Sequence, residues 1–101
     1  MRLIARLAEQ ITDEVEGALS YAKDALEYRQ THPALANIYH KLSQQEFEHM
    51  QQLHQQVQQL VVEAENRGVD YPQSMRDKWD KQHRKIISKM ADANVFIGMW
   101  K

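Results

Sequence analysis

Leu42-Ser43-Gln44-Gln45-Glu46-Phe47-Glu48-His49-Met50-Gln51-Gln52-Leu53 is the stretch on which the reading of this chain turns. On a helical wheel at about 100° per residue, Glu46 falls at the centre of an apolar arc, flanked by Leu42, Met50 and Leu53. His49 follows one turn on, still inside that arc. The arc extends both ways. Leu35, Ile38, Leu42, Met50, Leu53, Val57, Leu60, Val61 and Ala64 recur at spacings of three and four, which predicts one amphipathic helix over 33–66. Gln51, Gln52, Gln55, Gln56, Gln58 and Gln59 fall mostly opposite the stripe and read as its solvated face.

Pro33 suits the first position of that helix, where a missing N–H costs nothing. Upstream, Ile4, Leu7, Ile11, Val15, Ala18, Ala22 and Ala25 repeat at helical spacing, with Leu19 and Leu26 at the margin. They predict a first helix from about Leu3 to Gln30. Gly68 suits the residue just past the second helix, and residues 68–73 read as a linker. Ser74-x-x-Asp77 resembles a capping box. A third helix follows from about Met75 to Ile97, with Met75, Trp79, His83, Ile86, Met90, Ala93 and Ile97 on one face.

The expected fold class is therefore all-α: an antiparallel two-helix hairpin over 1–67, the linker, and a C-terminal amphipathic helix over 74–101 that belongs to the same domain or to an oligomer interface. Two long helices joined by a short turn bury only one side of each stripe. A second hairpin would complete a four-helix bundle by dimerisation.

Bulk properties narrow the function classes. The 101 residues suit one domain, and 43% apolar with 27% charged residues is the make-up of a folded chain. A formal net charge of −1 and scattered Lys and Arg offer no basic stripe, so neither nucleic acid nor an anionic membrane is an expected partner. There is no cysteine, which excludes disulfides, thiolate metal sites and thiol nucleophiles. No apolar run reaches membrane-spanning length and no signal-peptide pattern opens the chain, so a cytoplasmic location is expected. Gly-rich phosphate loops and Ser-His-Asp arrangements are absent.

Chemistry enters through the residues that do not suit an apolar face. Glu46 and His49 lie within the second stripe. Glu14 lies within the first, between Leu7, Ile11, Ala18 and Tyr21, whereas Glu16 points to the polar margin. An ionised carboxylate left alone in a core costs several kcal/mol, and two facing carboxylates force a proton onto one of them. A divalent cation removes that conflict. Carboxylate plus imidazole suits iron, manganese or zinc, and an i, i+3 pair shares one helix face. Glu14 precedes the turn at His32 by about 18 residues and Glu46 follows it by about 14, so a hairpin brings them to similar height. Each hairpin then offers one Glu and one Glu-x-x-His. Two hairpins offer the ligand inventory of a di-iron carboxylate bundle. The competing reading is a polar network among Glu14, Glu46 and His49, or an ion pair across an oligomer interface.

These same residues carry a family resemblance. Glu14-x-Glu16-x-x-x-x-Tyr21, a short turn with Pro33, and Glu46-Phe47-Glu48-His49 resemble the ferritin-like superfamily. The pattern is closest to the encapsulated ferritins and more distantly similar to the rubrerythrins, over roughly residues 5–65. The resemblance implies a homodimer or higher oligomer that oxidises Fe(II) to Fe(III) with O₂ at a di-iron centre between subunits. It implies Glu14, Glu46 and His49 as metal ligands and catalytic residues, Tyr21 as a residue that steadies the first Glu, and Glu16 as a further candidate ligand. The chain departs from the pattern at Ser20, where encapsulated ferritins carry an aromatic residue, in a loop about two residues longer, and in a longer third helix.

Val95-Phe96-Ile97-Gly98-Met99-Trp100-Lys101 resembles the apolar peptide by which cargo docks into an encapsulin shell. The plainer reading ends the third helix there, with Gly98 as terminator and Phe96, Met99 and Trp100 packed on the bundle. His83 reads as a core or interface histidine, and His32, His40 and His54 as loop or solvent-facing residues. The functional expectation is a ferroxidase. The alternatives are a non-catalytic helical assembly module, or metal storage and transport without turnover.

Overall fold

The computed structural model describes residues 2–67 and 72–100. Three helices account for nearly all of them: α1 (Arg2–Tyr28), α2 (Pro33–Asn66) and α3 (Gln73–Gly98). No strand occurs among the described residues. The molecule is a rod of 55 × 18 × 18 Å, its length set by α2, whose 34 residues span about 51 Å at 1.5 Å each.

The α1–α2 connection is tight. α1 stops at Tyr28, two residues before the expected end, and the His32 amide donates to the Tyr28 carbonyl at 2.8 Å. Pro33 opens α2, and the Ala36 amide donates to the His32 carbonyl at 2.9 Å. Tyr28 and Tyr21 on α1 both meet Tyr39 on α2, and further along Glu14 meets His49. These pairings run the two helices antiparallel. α3 returns along both: Trp79 faces the α1 start, His83 meets His54, Lys89 pairs with Glu16, and Trp100 stacks on His40 at 4.7 Å. α3 rests mainly on α1 and touches α2 lightly.

The core follows a seven-residue rhythm. α1 buries Ile4, Ala8, Ile11, Val15, Ala18, Ala22 and Ala25, alternating steps of four and three. α2 buries Ala36, Ser43, Met50, Val57 and Ala64 at intervals of seven, together with His54. Such a repeat keeps one seam facing its neighbour along the whole rod. Alanines at the turn end of α1 let the helices approach closely there.

Two expectations need correction here. The α2 stripe holds at Met50, Val57 and Ala64, which are buried, but departs from expectation in the first half of the helix. Leu35 and Ile38 are 41% and 54% exposed, while Ser43, outside the expected stripe, and His54, expected to face solvent, are buried. Ser43 is tolerated inside because its hydroxyl donates to the His40 carbonyl at 2.6 Å. α2 in fact carries two adjoining apolar faces, one turned to α1 and α3 and one left open. Ser74 is not a cap either. α3 starts at Gln73 after Pro72, without a side-chain cap, and the Gln73 side-chain Nε2 donates to Asp77 Oδ1 at 3.0 Å.

The linker expectation falls largely on residues 68–71, and the Gly68 expectation wholly so; these lie outside the described residues. At the far end α3 runs through Gly98, and right-handed backbone continues at Met99, so no left-handed terminator forms. Phe96 is half-buried beneath the Lys23 ammonium, 5.2 Å from its ring centre. Phe96 and Trp100 thus lie against the bundle, whereas Met99, expected to pack with them, is 49% exposed.

Candidate metal centre

Glu14 on α1 and Glu46 and His49 on α2 converge. Ligand atoms from all three lie within 4.8 Å of one another, the one such group of His and carboxylate side chains among the described residues. The antiparallel pairing of α1 and α2 makes the meeting, and the i, i+3 spacing puts both α2 donors on one face. The group occupies the α1–α2 seam on the side away from α3. The residues that meet α3, namely Glu16 and Lys23 on α1 and His40 and His54 on α2, are rotated by about 80° to 180° around their helices from the site residues.

The site sits at the edge of the core rather than within it. Glu14 and Glu46 are half-buried, while the His49 side chain is 59% exposed. One atom is nonetheless sealed off: Oε2 of Glu14 is buried and has no hydrogen-bond partner. His49 Nδ1 stands 3.8 Å from it, beyond hydrogen-bond reach. Orphaned buried acceptors are rare because each forfeits its hydration.

The carboxylate conflict is visible at Glu46. Its carboxyl is raised to about 7, first because the protonated form shares a hydrogen bond with Glu14, then through burial and the Glu14 charge; His49 opposes the shift. At neutral pH the metal-free pair thus holds a proton for part of the time, which gives Glu14 a donor. A cation would do the same for both carboxylates at once. The residues fit such an ion. Two carboxylate oxygens and one imidazole nitrogen match the preferences of iron, manganese and zinc, and three donors leave positions open.

Gly17 was not foreseen. A Cβ at this position would meet Oε2 of Glu46 at 3.2 Å. The bare backbone, one turn past Glu14, lets the Glu46 carboxylate lie close against α1. Its signal in the sequence was a glycine in mid-helix, which costs about 1 kcal/mol relative to alanine and calls for a packing reason.

The other candidates lie elsewhere. Glu16 pairs with Lys89 of α3, on the opposite side of α1 from Glu14. The Tyr21 ring packs against Tyr39 with centroids 5.9 Å apart, and no described hydrogen bond joins it to Glu14. His54 is 8% exposed rather than solvent-facing, and its Nε2 lies 2.8 Å from Nε2 of His83. Burial and the nearby His83 charge both lower its pKa.

No family model matches this chain, and neither a curated protein nor a solved structure does so. The functional reading therefore rests on the residues themselves. No described helix is long and apolar enough to cross a membrane.

Proposed function

We propose that this chain is half of a ferritin-like di-metal protein, in which two copies pair through the open α1–α2 face and oxidise Fe(II) to Fe(III) with O₂. The observation that carries this reading is the sealed Glu14 Oε2, left without a donor whenever Glu46 is ionised, beside a second carboxyl and an imidazole at ligand spacing. The exposed Leu35 and Ile38 lie on the same helix as Glu46 and His49 and supply apolar surface for pairing. Two copies would bring together two Glu14, two Glu46 and two His49, the ligand inventory of a di-iron carboxylate bundle.

Iron held there would supply the one-electron chemistry that reduces O₂. The chain's own part is simpler. Glu14 and Glu46 provide the negative charge that favours a cation, and Glu46 gives up its proton as the cation binds. His49 provides the neutral nitrogen donor. The pairing of copies excludes bulk water from an otherwise open seam.

The test is to purify the protein aerobically, measure bound metal and oligomer size, add Fe(II), and follow ferric absorbance. Ferric colour that disappears in Glu46→Ala supports the reading. A metal-free protein that stays colourless and is unchanged by Glu46→Ala removes the enzyme. A non-catalytic assembly module then becomes the better account, as the exposure of His49 favours. A monomer with full iron occupancy overturns the pairing.

A further inference from the structure

We propose that His54 and His83 form a second and separate cation site, which takes a monovalent two-coordinate ion such as Cu(I) or Ag(I) between the two Nε2 atoms. It shares no residue with the Glu14, Glu46 and His49 group and stands or falls independently of it.

The two rings have centroids 5.0 Å apart and planes inclined by 28°, yet their Nε2 atoms approach to 2.8 Å. That centroid distance is close to two ring radii plus a hydrogen bond. The rings therefore meet head to head, with in-plane lone pairs aimed at each other, rather than face on face. With one ring donating and the other accepting, a single proton bridges the two nitrogens. No other described hydrogen bond engages either ring. A linear two-coordinate ion uses the same opposed lone pairs, whereas a tetrahedral dication needs them bent well away from that line.

Charge and surroundings point the same way. His54 is 8% exposed, and Met50, Val57, Trp79 and Ile86 of the two helices are buried apolar neighbours in sequence register. No third His or carboxylate ligand joins the pair among the described residues. A dication here would lack both donors and counter-charge, and burying charge without either is prohibitive. A monovalent ion with a preference for two soft or borderline donors carries less charge and needs no further ligand. The Glu14 group has the reverse character, rich in carboxylate and partly exposed, and suits a hard dication.

There is room to adjust. An imidazole–metal bond of about 2 Å makes a linear N–M–N span of about 4 Å, so the nitrogens must separate by roughly 1 Å. The light contact between α2 and α3 allows that movement. Trp79 lies parallel to His83, with rings inclined by 12° and centroids 4.9 Å apart, which holds the His83 ring in place. The exchange balances at neutral pH. Each ring ends neutral with its proton on Nδ1, so the Nε2 proton that bridged the pair is lost to solvent and one is regained at Nδ1.

The experiment uses the full chain with Ag(I), and with Cu(I) anaerobically against a chromophoric chelator. One ion per chain is expected, with quenching of Trp79 emission that persists in Trp100→Phe. His54→Gln and His83→Gln should each weaken binding by roughly tenfold or more, while His49→Gln leaves it unchanged. X-ray absorption of the Cu(I) protein should show two nitrogen neighbours and no sulfur, a readout that does not depend on the variants folding. Binding that survives both histidine variants, or a sulfur neighbour from a methionine, overturns the site. So does failure to bind either ion.

Discussion

Gly17 of α1 and Glu46 of α2 fit together because the glycine lacks the atom that would crowd the carboxylate, whose Oε2 lies 3.2 Å from where a Cβ would stand. Gly17→Ala sets two effects against each other. Helix propensity favours alanine by about 1 kcal/mol, and the far end of Glu46 is flexible enough to yield a few tenths of an ångström. The metal-free protein should therefore be as stable as the parent or more so. Affinity for Mn(II) or Zn(II) should fall on the order of tenfold, because the carboxylate is displaced from its ligand position. Thermal unfolding and calorimetric titration on the same sample separate the two. Unchanged metal affinity would show that Gly17 has no part in the site.

The proton on Glu46 makes both stability and metal binding depend on pH. Its folded-state pKa is raised to about 7. A raised carboxyl favours the fold fully below its ordinary value and loses that contribution as pH rises through about 7. Relative to Glu46→Gln, which cannot ionise, the metal-free parent should lose stability between about pH 5 and 7 in urea unfolding. Metal affinity should move the other way, rising over the same interval with release of a proton. A parent and variant with parallel pH profiles would contradict the assignment.

Acid should act at the other end of the scale, on the seam between α2 and α3. His54 is held below its ordinary value by burial and by His83. A lowered histidine stabilises the fold above its ordinary pKa, and that contribution is lost as pH falls through the folded-state value. When both rings are protonated, two donors face each other and the hydrogen bond cannot form. Trp79 emission should therefore change on acidification before the helical signal of the whole bundle is lost. His83→Gln should reduce that early change.

Core and open face should answer differently to truncation. Ile11 is 0% exposed, and Ile11→Ala should cost about 2–5 kcal/mol in denaturant unfolding. Ile38 is 54% exposed, and Ile38→Ser should stay within about 0.5 kcal/mol in the monomer. Sedimentation at several concentrations should instead show weaker self-association. A large loss of monomer stability at Ile38 would mean that this face is already covered within one chain.

The helices were legible in the sequence because their apolar residues recur so regularly, and Pro33 marked the start of α2 to the residue. The α1 stripe was also read closely, since that helix has one apolar face. α2 was harder. Its large residues Leu35, Ile38 and Leu42 drew the expected stripe towards the open side, whereas the buried seam runs through the smaller Ala36 and Ser43. Residue size misled because small residues permit close helix approach. Glu14, Glu46 and His49 were found by their misfit to an apolar pattern. Gly17 and His54 were not, because a glycine displays no misfit and His54 was masked by its glutamine neighbours. Which face α3 would cover depends on contacts among three helices, and no single helical period carries that information.

α1 lies against both other helices, while α2 and α3 barely meet. The rod is thus a spine with two leaves, and its easiest breathing motion is the parting of the leaves. Amide exchange should be slowest along the middle of α1 and faster along α3. That motion uncovers His54 and His83 without separating Glu14 from Glu46, because the latter pair belongs to the spine and one leaf. One chain can therefore part its histidine seam while Glu14, Glu46 and His49 keep their spacing.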